Sequence, residues 1–229
     1  MAPTGQTPRR GIAAAVAIAT VAVLALGTAT YAVGATASTS ATDAAGRSAT
    51  VSKRAFHDAM RQLWEEHVTW TRLFIVSFVS DVPDLQATTD RLLQNQVDIG
   101  DAVKPFYGTK AGNQLTDLLR EHILTAADLL AAAKSGDTAA FDQAKSDWYA
   151  NARQIARFLH DANPDNWPLA DLRSMMKMHL DLTLQEASDQ LGGDYAAAVA
   201  DYDAVEAEIL EMADTLSSGI VAQFPRRFR

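Results

Sequence analysis

The sequence contains no cysteine and little proline or glycine. The absence of cysteine excludes disulfide bonds, thiolate metal sites and acylation at a lipobox cysteine. Only 7 prolines and 12 glycines occur in 229 residues, a composition that favours helices. Basic residues are also scarce, with 20 Lys and Arg against 28 Asp and Glu and a net charge of −8. Because nucleic-acid binding depends on basic patches that neutralise phosphates, the acidic balance argues against a nucleic-acid partner.

Several catalytic and cofactor motifs are absent as well. No histidine has a glutamate three residues earlier, as di-iron bundles require, and no His-Glu-x-x-His zincin motif occurs. The sequence also lacks a Gly-x-Ser-x-Gly elbow, a Walker loop and a dinucleotide glycine fingerprint. We therefore predict no catalytic residue. An enzymatic role would require a metal site with a position open to water or substrate.

The N-terminus reads as a targeting segment. "MAPTGQTPRR" provides a positive start, and no charged residue follows from Gly11 to Ala37. Ala35-Thr36-Ala37 fits a small-x-small cleavage pattern before Ser38, and the apolar run is also long enough to remain as a membrane anchor. Both outcomes stay open for residues 1–37. Either one predicts an extracytoplasmic protein, secreted or anchored facing outward, with 38–50 as a flexible spacer.

From Val51 onward the apolar residues recur with the 3.6-residue period of a helix. Breakers such as Pro105 and Gly108 divide this region, and Asp137 and Asp194 are placed to cap the helices that follow them. The pattern predicts six helices, at about 51–79, 84–104, 110–134, 138–161, 168–191 and 195–222. The predicted fold is an all-α bundle of three antiparallel helical hairpins, forming one domain over 51–229.

The three predicted hairpins have similar spacing, which indicates an internal repeat. His67, His122 and His179 share one register in the first helix of each hairpin, 55 and 57 residues apart. In the second helices, "NQVDIG" from Asn95, "NARQIA" from Asn151 and "EAEILE" from Glu206 align in the same way. We interpret the domain as three copies of one hairpin in a pseudo-threefold arrangement.

These polar residues, together with Glu186, fall on the apolar faces of their helices. A buried carboxylate is costly unless it is paired or binds a metal. If the copies converge, three imidazoles and a glutamate suit a divalent Zn, Cu, Fe or Mn ion. The sequence then predicts His67, His122, His179 and Glu206 as metal ligands, with Asn95, Asn151 and Glu186 as further cofactor- or ligand-binding residues around them. The alternative is a non-enzymatic envelope scaffold or interaction protein, in which the histidines belong to a structural polar network.

Five segments, "LWEEHVTWTR", "PFYG", "WYANA", "NPDNWP" and "MADTLSSGIVAQFP", carry a resemblance to a known family. The chain resembles an exported helical-bundle family of actinobacteria and bacilli over roughly residues 60–229. Relatives carry labels such as glycosyltransferase or acetylglutamate kinase, but this chain has neither the strand pattern nor the motifs of those enzymes. The resemblance implies export and a single mature domain, and it implies no particular chemistry.

Overall fold

The computed structural model describes residues 50–229, and this part of the chain is all-α, which confirms the predicted class. It contains five helical runs and a short final 3-10 turn, and residues 50–229 form no β-strand. The elements are α1 (Lys53–Val79), α2 (Leu85–Ser135), α3 (Thr138–Ala162), α4 (Leu169–Gly192), α5 (Tyr195–Gln223) and the turn Pro225–Arg227.

The predicted targeting segment, 1–37, and nearly all of the predicted spacer lie outside the described residues. Among the helices of residues 50–229, none combines the length and the apolar character that crossing a membrane requires.

The break predicted near Pro105 and Gly108 is present, and it lies at Gly108. The helical run α2 includes Pro105, and its two helical parts meet at a kink at Gly108. Gly108 alone among the residues of α2 departs from helical backbone angles, with φ 84° and ψ 164°. Glycine adopts a positive φ without steric cost because it has no Cβ. The chain can therefore change direction at one residue, without the loop that the two breakers suggested.

The two parts of α2 on either side of Gly108 lie against each other. A Cβ built on Gly100 would come within 2.6 Å of the carbonyl oxygen of Gly112. Further along the same contact, the Arg120 side chain donates a hydrogen bond to the Leu93 carbonyl oxygen. The two parts therefore pack as an antiparallel pair, with glycines where their backbones approach most closely.

The starts of α3 and α5 agree with the sequence prediction. The Asp137 and Asp194 side chains each accept a hydrogen bond from the backbone N–H three residues later, which satisfies a donor at the helix start. The preceding helices end at Gly136 and Gly193, both in the left-handed conformation. Each cap pair allows a sharp turn between neighbouring antiparallel helices.

The helices close around a common core. Each packs against the next one along the chain, and α5 also packs against α1. The largest apolar cluster draws residues from all five helices. The faces that carry His67, His122 and His179 point into this closed arrangement, and so the core contains a polar centre.

Candidate functional site

His67 on α1, His122 on α2 and His179 on α4 come together in the core. The three side chains belong to residues that are only 2%, 3% and 4% exposed. The ring centroids of His67 and His179 are 5.8 Å apart, and those of His122 and His179 are 6.3 Å apart. Residues separated by more than 50 positions along the chain thus form one cluster of imidazoles.

Each imidazole contacts one polar side chain through Nδ1. His67 lies 3.3 Å from Gln96 Nε2, His122 lies 3.0 Å from Asn151 Oδ1, and His179 lies 3.1 Å from Glu208 Oε2. In all three pairs the partner follows its histidine by 29 residues. Because Nδ1 is occupied in each ring, Nε2 is the nitrogen left for any other partner.

Sequence reasoning found Asn151 but missed Gln96 and Glu208. It aligned the second helices on Asn95 and Glu206, one and two positions before the residues that contact the histidines. The signal was present in the sequence, because Gln96, Asn151 and Glu208 repeat the 55- and 57-residue spacing of the histidines. Applying that spacing strictly would have selected them.

The remaining predicted residues lie close to the site or beside it. Asn95 is fully buried and donates from Nδ2 to the Leu63 carbonyl oxygen at 3.0 Å, one turn before His67. Glu206 is partly exposed, and the three clustered histidines form their Nδ1 contacts with Gln96, Asn151 and Glu208 instead. Glu186 is fully buried and pairs with Arg72 at 3.1 Å. Neither Glu186 nor Glu206 lines the cavity between the imidazoles.

The Glu186 carboxylate is fully buried, although it has only one ion pair, with Arg72. Burial raises its pKa to about 7, although Arg72 works in the opposite direction. Its Oε2 atom has no hydrogen-bond partner within the described residues. Asp201 raises the pKa of Glu186 further and His179 lowers it, which places this carboxylate in the electrostatic neighbourhood of the histidine cluster.

The environment keeps two of the imidazoles neutral. Burial lowers the pKa of His67 well below its usual value, and the neighbouring His179 and His122 lower it further. Burial together with His179 lowers the pKa of His122 to about 3. A neutral imidazole retains a lone pair on one ring nitrogen, which is the form that can bind a metal or accept a hydrogen bond.

A small cavity of about 20 Å³ lies between the three rings. That volume accommodates one water molecule or one ion, since roughly 10–15 Å³ is the minimum for a water. Apart from the histidines its lining is apolar, formed by Trp64, Leu115, Leu119, Ile155, Leu159, Met176, Ile209 and Met212. A drug-sized ligand needs roughly 300 Å³ or more, so this cavity is large enough only for a single water molecule or ion.

Two tryptophans stand beside the imidazoles. The ring centroid of Trp64 is 5.8 Å from that of His67, and the centroid of Trp148 is 5.4 Å from that of His122. Both tryptophans are buried, and neither indole N–H has a partner within residues 50–229. Their main contribution is apolar bulk that separates the cluster from the bulk solvent.

The described residues contain no ready-made group of three or more His, Asp or Glu side chains with the arrangement of a metal site. Any metal binding by these histidines would therefore require the side chains to adopt a different arrangement.

Comparison of the chain with protein-family models, with curated proteins and with solved structures found no match. The histidine cluster and its three partners thus provide the basis for a functional conclusion.

Proposed function

We propose that this protein is an extracytoplasmic helical bundle that binds one divalent transition-metal ion between His67, His122 and His179. The observation that carries the proposal is the meeting of three buried imidazoles from three helices around a cavity of about 20 Å³. In a tetrahedral site, bonds of about 2.0–2.1 Å would place imidazole centroids about 5 Å apart. The two measured separations, 5.8 and 6.3 Å, exceed that value by only about 1 Å.

The surrounding side chains suit this role. A metal-binding histidine generally donates its other ring N–H to a carboxylate or carbonyl oxygen, which orients the ring. Glu208 beside His179 and Asn151 beside His122 provide such acceptors. The sequence predicted Glu206 as a fourth metal ligand, whereas in the proposal the glutamate at the cluster is Glu208, which orients His179.

The extracytoplasmic location belongs to the proposal and depends on the sequence of residues 1–37. A positive start, a charge-free apolar run and a cleavage pattern are typical of an exported chain. If the run is not cleaved, the membrane is a second partner through this anchor.

We further propose that the bundle consists of three copies of one helical hairpin, six helical segments in all. The support is the constant 29-residue separation between each histidine and its Nδ1 partner. The direction change at Gly108 divides α2 into the second segment of one copy and the first segment of the next. In such an arrangement, equivalent positions meet near the centre, where the imidazoles lie.

The metal proposal is tested by elemental analysis of protein purified without chelators and by thermal unfolding with added Zn²⁺, Co²⁺ or Mn²⁺. A bound ion should stabilise the fold by about 2.7 kcal/mol at a free concentration of 100 Kd. His179→Gln should abolish the shift, while His57→Gln, at a half-buried histidine outside the cluster that contacts Asp214, should retain it. Trace metal content together with no thermal shift for any of the three ions would refute the proposal.

A second candidate is a non-enzymatic envelope scaffold whose histidines are structural. It is favoured by the finding that the described residues hold no preformed metal group. Under this alternative, replacing the three histidines lowers the free energy of unfolding, and wild-type protein contains no bound species. The same measurements therefore separate the two functions.

A further inference from the structure

At His122 and His179 the atom that contacts Nδ1 is an oxygen, whereas at His67 it is the amide nitrogen of Gln96. We propose that Gln96 fixes the proton of His67 on Nε2. In this state the cavity accepts one water molecule. A metal ion can enter only after the side-chain amide of Gln96 has rotated by about 180°, so that its oxygen faces His67. The statement about metal entry rests on the proposed function, whereas the statement about proton position does not.

The orientation of the Gln96 amide follows from its hydrogen bonds. Its Nε2 donates to the Leu92 carbonyl oxygen at 2.8 Å and to Asn95 Oδ1 at 3.1 Å. Asn95 is itself oriented, because its Nδ2 donates to the Leu63 carbonyl oxygen at 3.0 Å. Turning the Gln96 amide would place Oε1 against two oxygens that can only accept hydrogen bonds.

The two hydrogens on Gln96 Nε2 serve Leu92 and Asn95, so the longer 3.3 Å contact to His67 Nδ1 is a shared, three-centre contact. Because the amide nitrogen has no lone pair to accept an Nδ1–H, this contact favours an unprotonated Nδ1 on His67. A neutral imidazole with an accepting Nδ1 carries its proton on Nε2. His67 consequently presents an N–H group, with no lone pair, at its remaining nitrogen.

The other two histidines have the opposite arrangement. Asn151 donates from Nδ2 to the Leu118 carbonyl oxygen at 3.1 Å, which leaves Oδ1 to accept from His122 Nδ1–H. The Glu208 carboxylate likewise accepts from His179 Nδ1–H. In the neutral form of both rings Nε2 then carries a lone pair.

One N–H donor and two lone-pair acceptors match a single water molecule, whose oxygen accepts one hydrogen bond and whose hydrogens donate two. The cavity of about 20 Å³ has room for one water. A cation, in contrast, would meet the His67 N–H, which offers no electron pair. Apart from the histidines, the lining offers only the Trp64 indole N–H and the weakly accepting sulfurs of Met176 and Met212.

The first experiment is ¹⁵N NMR of the imidazole nitrogens in the purified, metal-free, full-length chain. We expect His67 to be protonated at Nε2, and His122 and His179 to be protonated at Nδ1. Protonation of His67 at Nδ1 would overturn the inference, whether or not the protein binds a metal.

The second experiment compares Co²⁺ affinity in the wild type and in Gln96→Glu. A carboxylate accepts from Nδ1–H, moves the proton away from Nε2 and gives His67 the same partner type as His179. Co²⁺ affinity should rise roughly 10–100-fold, the usual size of effects from groups that support metal ligands. Glu208→Gln is the matched control for charge, and it should not raise the affinity.

Gln96→Met provides the same test if the buried glutamate prevents folding, because it removes the N–H donor without adding a charge. It too should bind Co²⁺ more tightly than the wild type. An affinity equal to that of the wild type in the folded variants would overturn the role of Gln96. If no variant binds Co²⁺, the metal function fails, and the NMR result alone decides the proton positions.

Discussion

At the residue scale, the three pairs at the centre of the bundle use equivalent positions for different chemistry. Each histidine has its partner 29 residues later, yet the partners are an amide donor, an amide acceptor and a carboxylate. Side-chain amides and carboxylates have similar shapes, so packing alone would tolerate any of them at these positions. The proton positions in the cluster therefore depend on which group occupies each of these three positions.

Glu186 gives the clearest pH prediction at this scale. Its pKa rises from 4.5 to about 7 on folding, so the folded state retains a proton that the unfolded chain loses. The free energy of unfolding must then fall as the pH rises from about 4.5 to about 7. For Glu186 this loss in the free energy of unfolding amounts to about 3 kcal/mol, since one pKa unit corresponds to 1.36 kcal/mol. Glu186→Gln should remove it, because glutamine does not titrate.

Urea titrations of the wild type and of Glu186→Gln, from about pH 4 to about pH 8, measure this difference. The variant should gain stability relative to the wild type with increasing pH. Glu206→Gln makes the same chemical change at a partly exposed position and is the control. A constant difference between wild type and Glu186→Gln across the range would contradict the assignment.

At the element scale, the chain direction within α2 reverses at one residue, Gly108. The reversal brings the Gly100 and Gly112 backbones so close that a Cβ on Gly100 would lie 2.0 Å from Thr116 Oγ1 and 2.6 Å from the Gly112 carbonyl oxygen. Backbone atoms cannot move aside as a flexible side chain can. The close approach of the two parts of α2 therefore depends on glycine at this position.

Gly100→Ala should destabilise the protein by about 1–3 kcal/mol, the usual cost of overpacking. The matched control is Gly192→Ala near the end of α4, where no atom lies within 4 Å of the added Cβ. That control should be neutral or stabilising by up to about 1 kcal/mol, because alanine is the better helix former. Urea denaturation of both variants tests the prediction, and equal stabilities would contradict the close packing within α2.

At the scale of the whole molecule, the two ends of the described chain are joined. Val51 donates to the Arg227 carbonyl oxygen at 2.9 Å and accepts from the Arg229 N–H at 3.0 Å. Phe228 lies between these contacts and packs on Phe56 and Phe106, with ring centroids 5.2 and 5.3 Å away. The last residues thus cover the core at the end of the bundle where α1 begins.

Phe228→Ala should lower the free energy of unfolding by about 3–5 kcal/mol, because it removes a buried aromatic ring and leaves a cavity. The exposed neighbouring residue provides the control, and Arg226→Ala should change the stability by less than about 0.5 kcal/mol. Chemical denaturation measures both. A small effect of Phe228→Ala would show that the C-terminal contact contributes little to stability.

Much of the architecture was predictable because it depends on local patterns. The 3.6-residue period predicted helices, and the caps at Asp137 and Asp194 were identified from their positions before helical stretches. The common register of the three histidines indicated that they face inward, and all three are buried. Gln96 and Glu208 were missed because helix periodicity tolerates an error of one or two positions, whereas a hydrogen bond does not.

By itself, the sequence determined the all-α class, most helix boundaries and the burial of the histidines, because propensity, capping and amphipathic period act over a few residues. The tertiary structure alone decided that the helix continues past Pro105 and changes direction at Gly108, and that His179 contacts Glu208 and not Glu206. It also decided the direction of the Gln96 amide. These features depend on how far each helix is shifted and rotated against its neighbours, which is set by side-chain packing across the whole bundle.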